Sequence, residues 1–169
     1  MFGYGSLIWN PGFSYVEKYP ATLLGYRRRL WQGSVDHRGS IDFPGRVVTL
    51  DKAEDQVDGL AYRVADEDKE AVLCYLDCRE SGGYERAVVE VKLSGSRVSA
   101  LTYIAYPHNP HYLGPAPLDE IIARIYKAVG PSGRNLDYVL DLASRIHSEG
   151  WVDRHIESVS AGLRLYGMG

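Results

Sequence analysis

Up to Tyr106 the apolar residues of this chain fall into strand-like runs, and beyond it they line up on helical stripes. A period of two builds strands and a period of 3.6 builds helices, so the order in which the two periods appear restricts the architecture. Runs rich in Val, Tyr, Leu and Arg occupy about 1–5, 21–33, 46–51, 57–64, 84–93 and 97–106, with Ser94-Gly95-Ser96 turning the last two into a hairpin. An amphipathic helix lies between the fourth and fifth runs. Asp66 is expected as its N-cap, with Val72, Leu73 and Leu76 facing inward. After Tyr106, Pro107, Pro110, Pro115 and Pro117 mark an ordered loop rather than a linker. One helix then carries Leu118, Ile121, Ile122, Ile125 and Val129 and ends at Gly130-Pro131. A second carries Leu136, Val139, Leu140, Ala143 and Ile146 and ends near Gly150, and a last amphipathic segment covers about 152–165. Strands first and helices later argue for an α+β fold whose sheet can curl into a small barrel. No repeat or second domain is visible, so residues 1–169 read as one domain.

Two motifs carry chemistry. In Tyr75-Leu76-Asp77-Cys78-Arg79-Glu80-Ser81-Gly82-Gly83-Tyr84 an acid stands where a helix must stop, because two glycines follow at once. There Glu80 faces the negative end of the helix dipole, and an enclosed acid so placed tends towards a raised pKa suited to proton transfer. Alone, a solvated helix-end glutamate is the simpler reading. The second motif, Phe2-Gly3-Tyr4-Gly5-Ser6-Leu7-Ile8-Trp9, reads as a short strand breaking into a tight loop. Successive amides in such a loop can converge into a nest for a carboxylate or phosphate. Gly3-x-Gly5 has Ile8 where a dinucleotide fingerprint needs a third glycine, and Ser6 lacks the flanking glycines of a nucleophile elbow.

Bulk properties remove several classes. A net charge of −3 over 169 residues leaves no footprint for nucleic acid or an anionic membrane. No apolar stretch is long enough to span a bilayer, and a motif-bearing strand at residue 2 leaves no room for a signal peptide. Cys74 and Cys78, four apart on a helix, are poorly placed for a disulfide, which fits a reducing, cytoplasmic setting. Their spacing and apolar surroundings favour packing over nucleophilic catalysis. His108-x-x-His111 is interrupted by prolines and lacks further ligands, so no metal is expected. Arg27-Arg28-Arg29 is split between the two sides of a strand and makes no phosphate patch. Arg38 is either a donor to a substrate carboxylate or a loop ion-pair partner.

Taken together, these segments resemble the ChaC family of γ-glutamylcyclotransferases, the enzymes acting on glutathione. The likeness runs through the N-terminal motif, Arg28-Arg29-Leu30-Trp31-Gln32-Gly33-Ser34 and Asp36-His37-Arg38-Gly39. It continues through Pro44-Gly45-Arg46-Val47-Val48-Thr49-Leu50, the segment at Glu80, Asn109-Pro110-His111-Tyr112-Leu113-Gly114-Pro115-Ala116-Pro117 and Gly130-Pro131-Ser132-Gly133-Arg134-Asn135. The resemblance implies an α+β fold with a small mixed β-barrel or curled sheet and flanking helices, glutathione as substrate, no cofactor, and Glu80 as the single catalytic acid/base. It also implies substrate binding by Gly3, Tyr4, Gly5, Ser6 and Leu7 through backbone amides, and by the hydroxyl of Tyr112. The chain departs from the family pattern at Cys78, where an aromatic is usual, and at Ser81, where lysine is common.

Overall fold

Two long strands dominate the computed structural model, which describes residues 1–167. Around β1 (Phe2–Gly3), β2 (Glu17–Ser34), β3 (Gly45–Arg63), β4 (Glu85–Leu93) and β5 (Ser96–Ile104) forms one sheet in the order β1-β3-β2-β4-β5. The chain divides into two compact units, residues 1–27 with 50–105, and residues 28–49 with 106 onward, the division falling within β2 and β3.

In the first unit β1 pairs antiparallel with β3, Phe2 opposite Ala61 and Gly3 opposite Leu60. β4 and β5 form a continuous hairpin from Glu85↔Ile104 to Leu93↔Ser96, closed at Gly95, whose φ of 85° suits a residue without a Cβ. The outer strands then meet: Thr102 Oγ1 donates to the Phe2 carbonyl oxygen at 2.9 Å, so the sheet curls back on itself. Phe2, Leu23, Val57, Val91 and Ile104 fill its interior. Against its other side lies α1 (Lys69–Arg79), whose Val72 and Leu76 pack with Leu7 and Tyr103.

Three expectations need correction here. The runs at 46–51 and 57–64 are one strand, because the polar residues between them stay extended at the surface, and a ladder needs backbone groups rather than apolar side chains. Asp66 does not cap α1. It opens a 3-10 turn, Asp66–Asp68, and pairs with Lys69 at 2.6 Å. Cys74 and Cys78 are not packed: both are free thiols exposed on the outer face of α1.

The second unit holds α2 (Leu118–Lys127), the two-residue strands β6 (Val129–Gly130) and β7 (Gly133–Arg134), α3 (Asn135–Ser148) and α4 (Arg154–Tyr166). Ile121, Ile122 and Ile125 are buried as their spacing predicts, but α2 stops at Lys127 because Ala128 is extended and starts the β6–β7 hairpin. Val129 is therefore exposed rather than part of the stripe. In α3 the buried apolar positions are Tyr138, Val139, Leu142 and Ile146, with Leu136, Leu140 and Ala143 half-buried. All three helices pack on one another, and α4 passes close to α2 at Gly162, where a Cβ would lie 2.2 Å from Ile122 Cδ1.

Polar bonds tie these helices to the strand segments of the same unit. Asp153 caps α4 by accepting from the amides of His155 and Ile156, each at 3.1 Å, and its other oxygen takes a 2.8 Å bond from Arg28 of β2. His155 Nε2 accepts from the Leu30 amide. The Arg46 amide and carbonyl engage the Asn135 side chain, and its guanidinium reaches the carbonyls of Leu30 and Gly114. Burial, with the nearby charge of Arg124, lowers the Arg46 pKa to about 10, so the group is still charged at neutral pH.

Arg28 is only 2% exposed, so removing its partner leaves a buried charge uncompensated. Asp153→Ala should lower stability by about 3–5 kcal/mol, the cap loss included, in urea unfolding followed by circular dichroism. A change below about 1 kcal/mol would show that this pair does not anchor α4.

Candidate active site

At Gly3 the sheet gives way to a loop that must pass very close to itself. A Cβ on Gly3 would sit 2.7 Å from Leu7 Cβ, so only glycine lets Leu7 fold back over β1. The chain turns through Tyr4 and Gly5 into a single 3-10 turn, Ser6–Ile8, with the Ile8 amide bonded to the Gly5 carbonyl oxygen at 3.0 Å. The amides of Ser6 and Leu7 begin this turn and have no acceptor within it. Side chains pin the loop from three sides. Buried Tyr4 donates its hydroxyl to the Tyr103 carbonyl oxygen at 2.7 Å, and Tyr62 donates to the Leu7 carbonyl oxygen at 2.6 Å. Leu7 itself packs into the Val72, Leu76 and Tyr103 cluster, which seats the loop on the inner face of α1.

The end of α1 supplies the acid. Glu80 is its C-cap, with an amide bonded to the Leu76 carbonyl oxygen at 2.8 Å, and Gly83 at φ 92° completes the tight exit that the two glycines predict. The Glu80 side chain is 19% exposed, mostly enclosed rather than standing in bulk solvent. Its Oε1 lies 3.6 Å from Arg79 Nε. The same guanidinium reaches Ser6 Oγ at 2.9 Å, the Asn10 carbonyl oxygen at 2.8 Å and the Pro11 carbonyl oxygen at 3.0 Å. Acid and loop, far apart in sequence, thus share one cation.

Gly3, Tyr4, Gly5, Ser6, Leu7 and Glu80 are brought together within the first unit. Tyr112 belongs to the second, where it bridges Gln32 and its amide bonds to the Asn109 carbonyl oxygen at 3.0 Å. Among the described residues Arg38 forms no ion pair. It donates to the Arg134 carbonyl oxygen at 3.3 Å and lies over the Tyr138 ring. Arg27 and Arg28 separate as the strand period predicts, to Asp51 and Asp153. Among the described residues no group of three or more His, Cys, Asp or Glu is arranged to hold a metal, and no helix is long and apolar enough to cross a membrane.

Sequence reasoning missed a supporting network. Asp77, one turn before Glu80, accepts from Arg86 Nε and the Tyr103 hydroxyl, each at 2.7 Å, and its second oxygen also bonds Arg86. These bonds bolt the last turn of α1 to the β4–β5 hairpin. The hydrogen bonds from Arg86, then from Tyr103, hold the Asp77 carboxyl below the usual range. Burial, then the bond to Asp77, pushes the Tyr103 phenol up to about 12. Only the alternation of an acid on α1 with an arginine in the next strand hinted at it.

With this geometry in view, the comparisons are consistent. The family model for ChaC-like proteins matches residues 1–165. A "Gamma-glutamylcyclotransferase 2-3" from Arabidopsis thaliana is 41% identical over 174 residues, covering 97% of this chain and 87% of the relative. A "Glutathione-specific gamma-glutamylcyclotransferase 1" from Danio rerio is 42% identical, covering 96% of this chain and 87% of its own. Among solved structures, a yeast γ-glutamylcyclotransferase specific to glutathione superposes with a TM-score of 0.92 at 27% identity, covering 98% of this chain and 95% of that one.

The Asp77 network makes a pH prediction. A carboxyl with a depressed folded-state pKa contributes stability that is present above its unfolded value of about 4 and lost as pH falls through the folded one. Wild-type protein should therefore exceed Asp77→Asn in melting temperature at neutral pH. The gap should narrow below about pH 4. A gap independent of pH would disconnect Asp77 from the anchoring.

Proposed function

The chain belongs to the ChaC-like family, and on that footing we propose that it cleaves glutathione to 5-oxoproline and cysteinylglycine, with Glu80 as its single general acid/base. The observation carrying the assignment of Glu80 is the shared guanidinium: the enclosed carboxylate and the Ser6 loop meet on Arg79. The names of the relatives supply the substrate.

The reaction is intramolecular. The α-amine of the γ-glutamyl group attacks its own γ-carbonyl, a C–N bond closes the five-membered lactam, and the C–N bond to the cysteine residue breaks. No water enters the balance and no cofactor is needed, because nucleophile and electrophile arrive on one molecule. The protein has two tasks. One is to fold the γ-glutamyl arm into attack geometry, worth up to about 7–11 kcal/mol. The amides of Ser6 and Leu7 are the donors proposed to hold that arm. The other is to take a proton from the ammonium and return it to the departing nitrogen, worth about 10²–10⁴ in rate. Glu80 does both in turn.

Tyr112 is proposed as a further substrate contact on the resemblance alone. Residues 1–169 are proposed to act as one functional domain in the cytoplasm, with a small molecule as partner and no nucleic acid. Two other readings remain: turnover of other γ-glutamyl amines or amino acids, and a binding module without catalysis. A retained enclosed acid beside the loop favours catalysis, since binding alone has no use for a proton carrier.

Purified protein should release 5-oxoproline and cysteinylglycine from glutathione without added metal. Glu80→Gln should keep the melting temperature and substrate affinity while lowering kcat by about 10²-fold or more. Near-normal turnover in that variant would exclude the role. Ser6→Pro, which removes one loop amide, should weaken binding of glutathione to the Glu80→Gln protein by calorimetry, and unchanged affinity would remove the loop from the binding site.

A further inference from the structure

We propose that Arg79 is the positioning residue of this site, setting the substrate-binding loop and Glu80 in a single register. The inference rests on the function proposed above and adds a residue to which that function gave no part.

An arginine closing a helix ordinarily needs no special account, because its charge complements the dipole from solvent. Arg79 behaves differently. Its side chain is only 16% exposed, and its donors reach across to the loop. Nη1 bonds the carbonyl oxygens of Asn10 and Pro11, with the Tyr75 hydroxyl at 3.4 Å, and Nη2 bonds Ser6 Oγ. Nε remains on the edge turned to Glu80. A planar fork is the one side chain that can serve these directions at once; an ammonium on a flexible stem is a point charge that cannot hold them in fixed relation. The surroundings are built close around it. Gly12 has φ 71°, and a Cβ there would lie 2.1 Å from the Tyr75 hydroxyl and 3.3 Å from Arg79 Nη1, so the chain after Pro11 lies directly against the fork.

The bond to Ser6 has a chemical effect. A hydroxyl has one hydrogen to give and lone pairs to accept with. Arg79 occupies an acceptor position, so the Ser6 hydrogen is free to point at a bound carboxylate or carbonyl. Arg79 thereby orients a donor as well as a backbone. Its Nε stands 3.6 Å from Glu80 Oε1, so the same plane that holds the Ser6 hydroxyl also fixes where the carboxylate lies.

Charge and fork can be separated. Arg79→Lys keeps the cation and loses the fork, so KM for glutathione should rise about tenfold while kcat changes little. Arg79→Gln loses both: KM should rise and kcat should fall, with kcat/KM dropping about 10²-fold. Added guanidinium ion should restore part of the activity of Arg79→Ala. An Arg79→Gln protein with wild-type KM and kcat overturns the inference. Should the Arg79 variants fail to fold, Ser6→Ala decides: a rise in KM supports the link, and an unchanged KM overturns it. Wild-type protein that releases no 5-oxoproline overturns the functional reading as well, whereas indifferent variants of an active enzyme overturn this inference alone.

Discussion

Everything at the candidate site depends on the packing of Leu7 against Val72, Leu76 and Tyr103. That contact is apolar and carries no chemistry, yet it presses the N-terminal loop onto α1 and so fixes where the loop amides lie relative to the helix end. It explains Gly3, which must lack a side chain for Leu7 to return over β1. It also explains why α1 buries so few residues. Val72 and Leu76 are the buried positions and receive Leu7, while Asp77 turns to the hairpin and Arg79 to the loop. Burying a leucine side chain contributes roughly 1.5–3 kcal/mol, enough to hold a loop whose own turn is a single 3-10 step.

The polar groups refine this placement. Asp77 and Glu80 stand within one turn of each other at the dipole's negative end, where two acids are doubly unfavourable. Each has its own arginine: Arg86 for Asp77, Arg79 for Glu80. The division of labour follows from what else each cation touches. Arg86 comes from the hairpin and ties the helix to the sheet, whereas Arg79 comes from the helix and ties it to the loop.

The sequence disclosed the fold class and the paired motifs well, because both are written in local signals. The switch from strand to helical spacing near Tyr106, the glycine exits after Glu80 and at Gly95, and the isoleucine stripe of α2 all reappear in the structure. What it concealed was nonlocal. The continuity of β3 through residues 52–56 depends on a neighbouring strand, not on that largely polar stretch. The exposure of Cys74 and Cys78 depends on which face of α1 meets Leu7. Arg79 is adjacent to Glu80 in sequence, but its bonds to Ser6, Asn10 and Pro11 arise only once the loop has docked.

Tyr103 serves both sides of this assembly: its carbonyl oxygen receives the Tyr4 hydroxyl, and its own phenol is spent on Asp77. One strand residue therefore grips the glycine turn with its main chain and the helix end with its ring. Neither can shift without dragging the other, so a change at Tyr103 is felt at the glycine turn and at the helix end together.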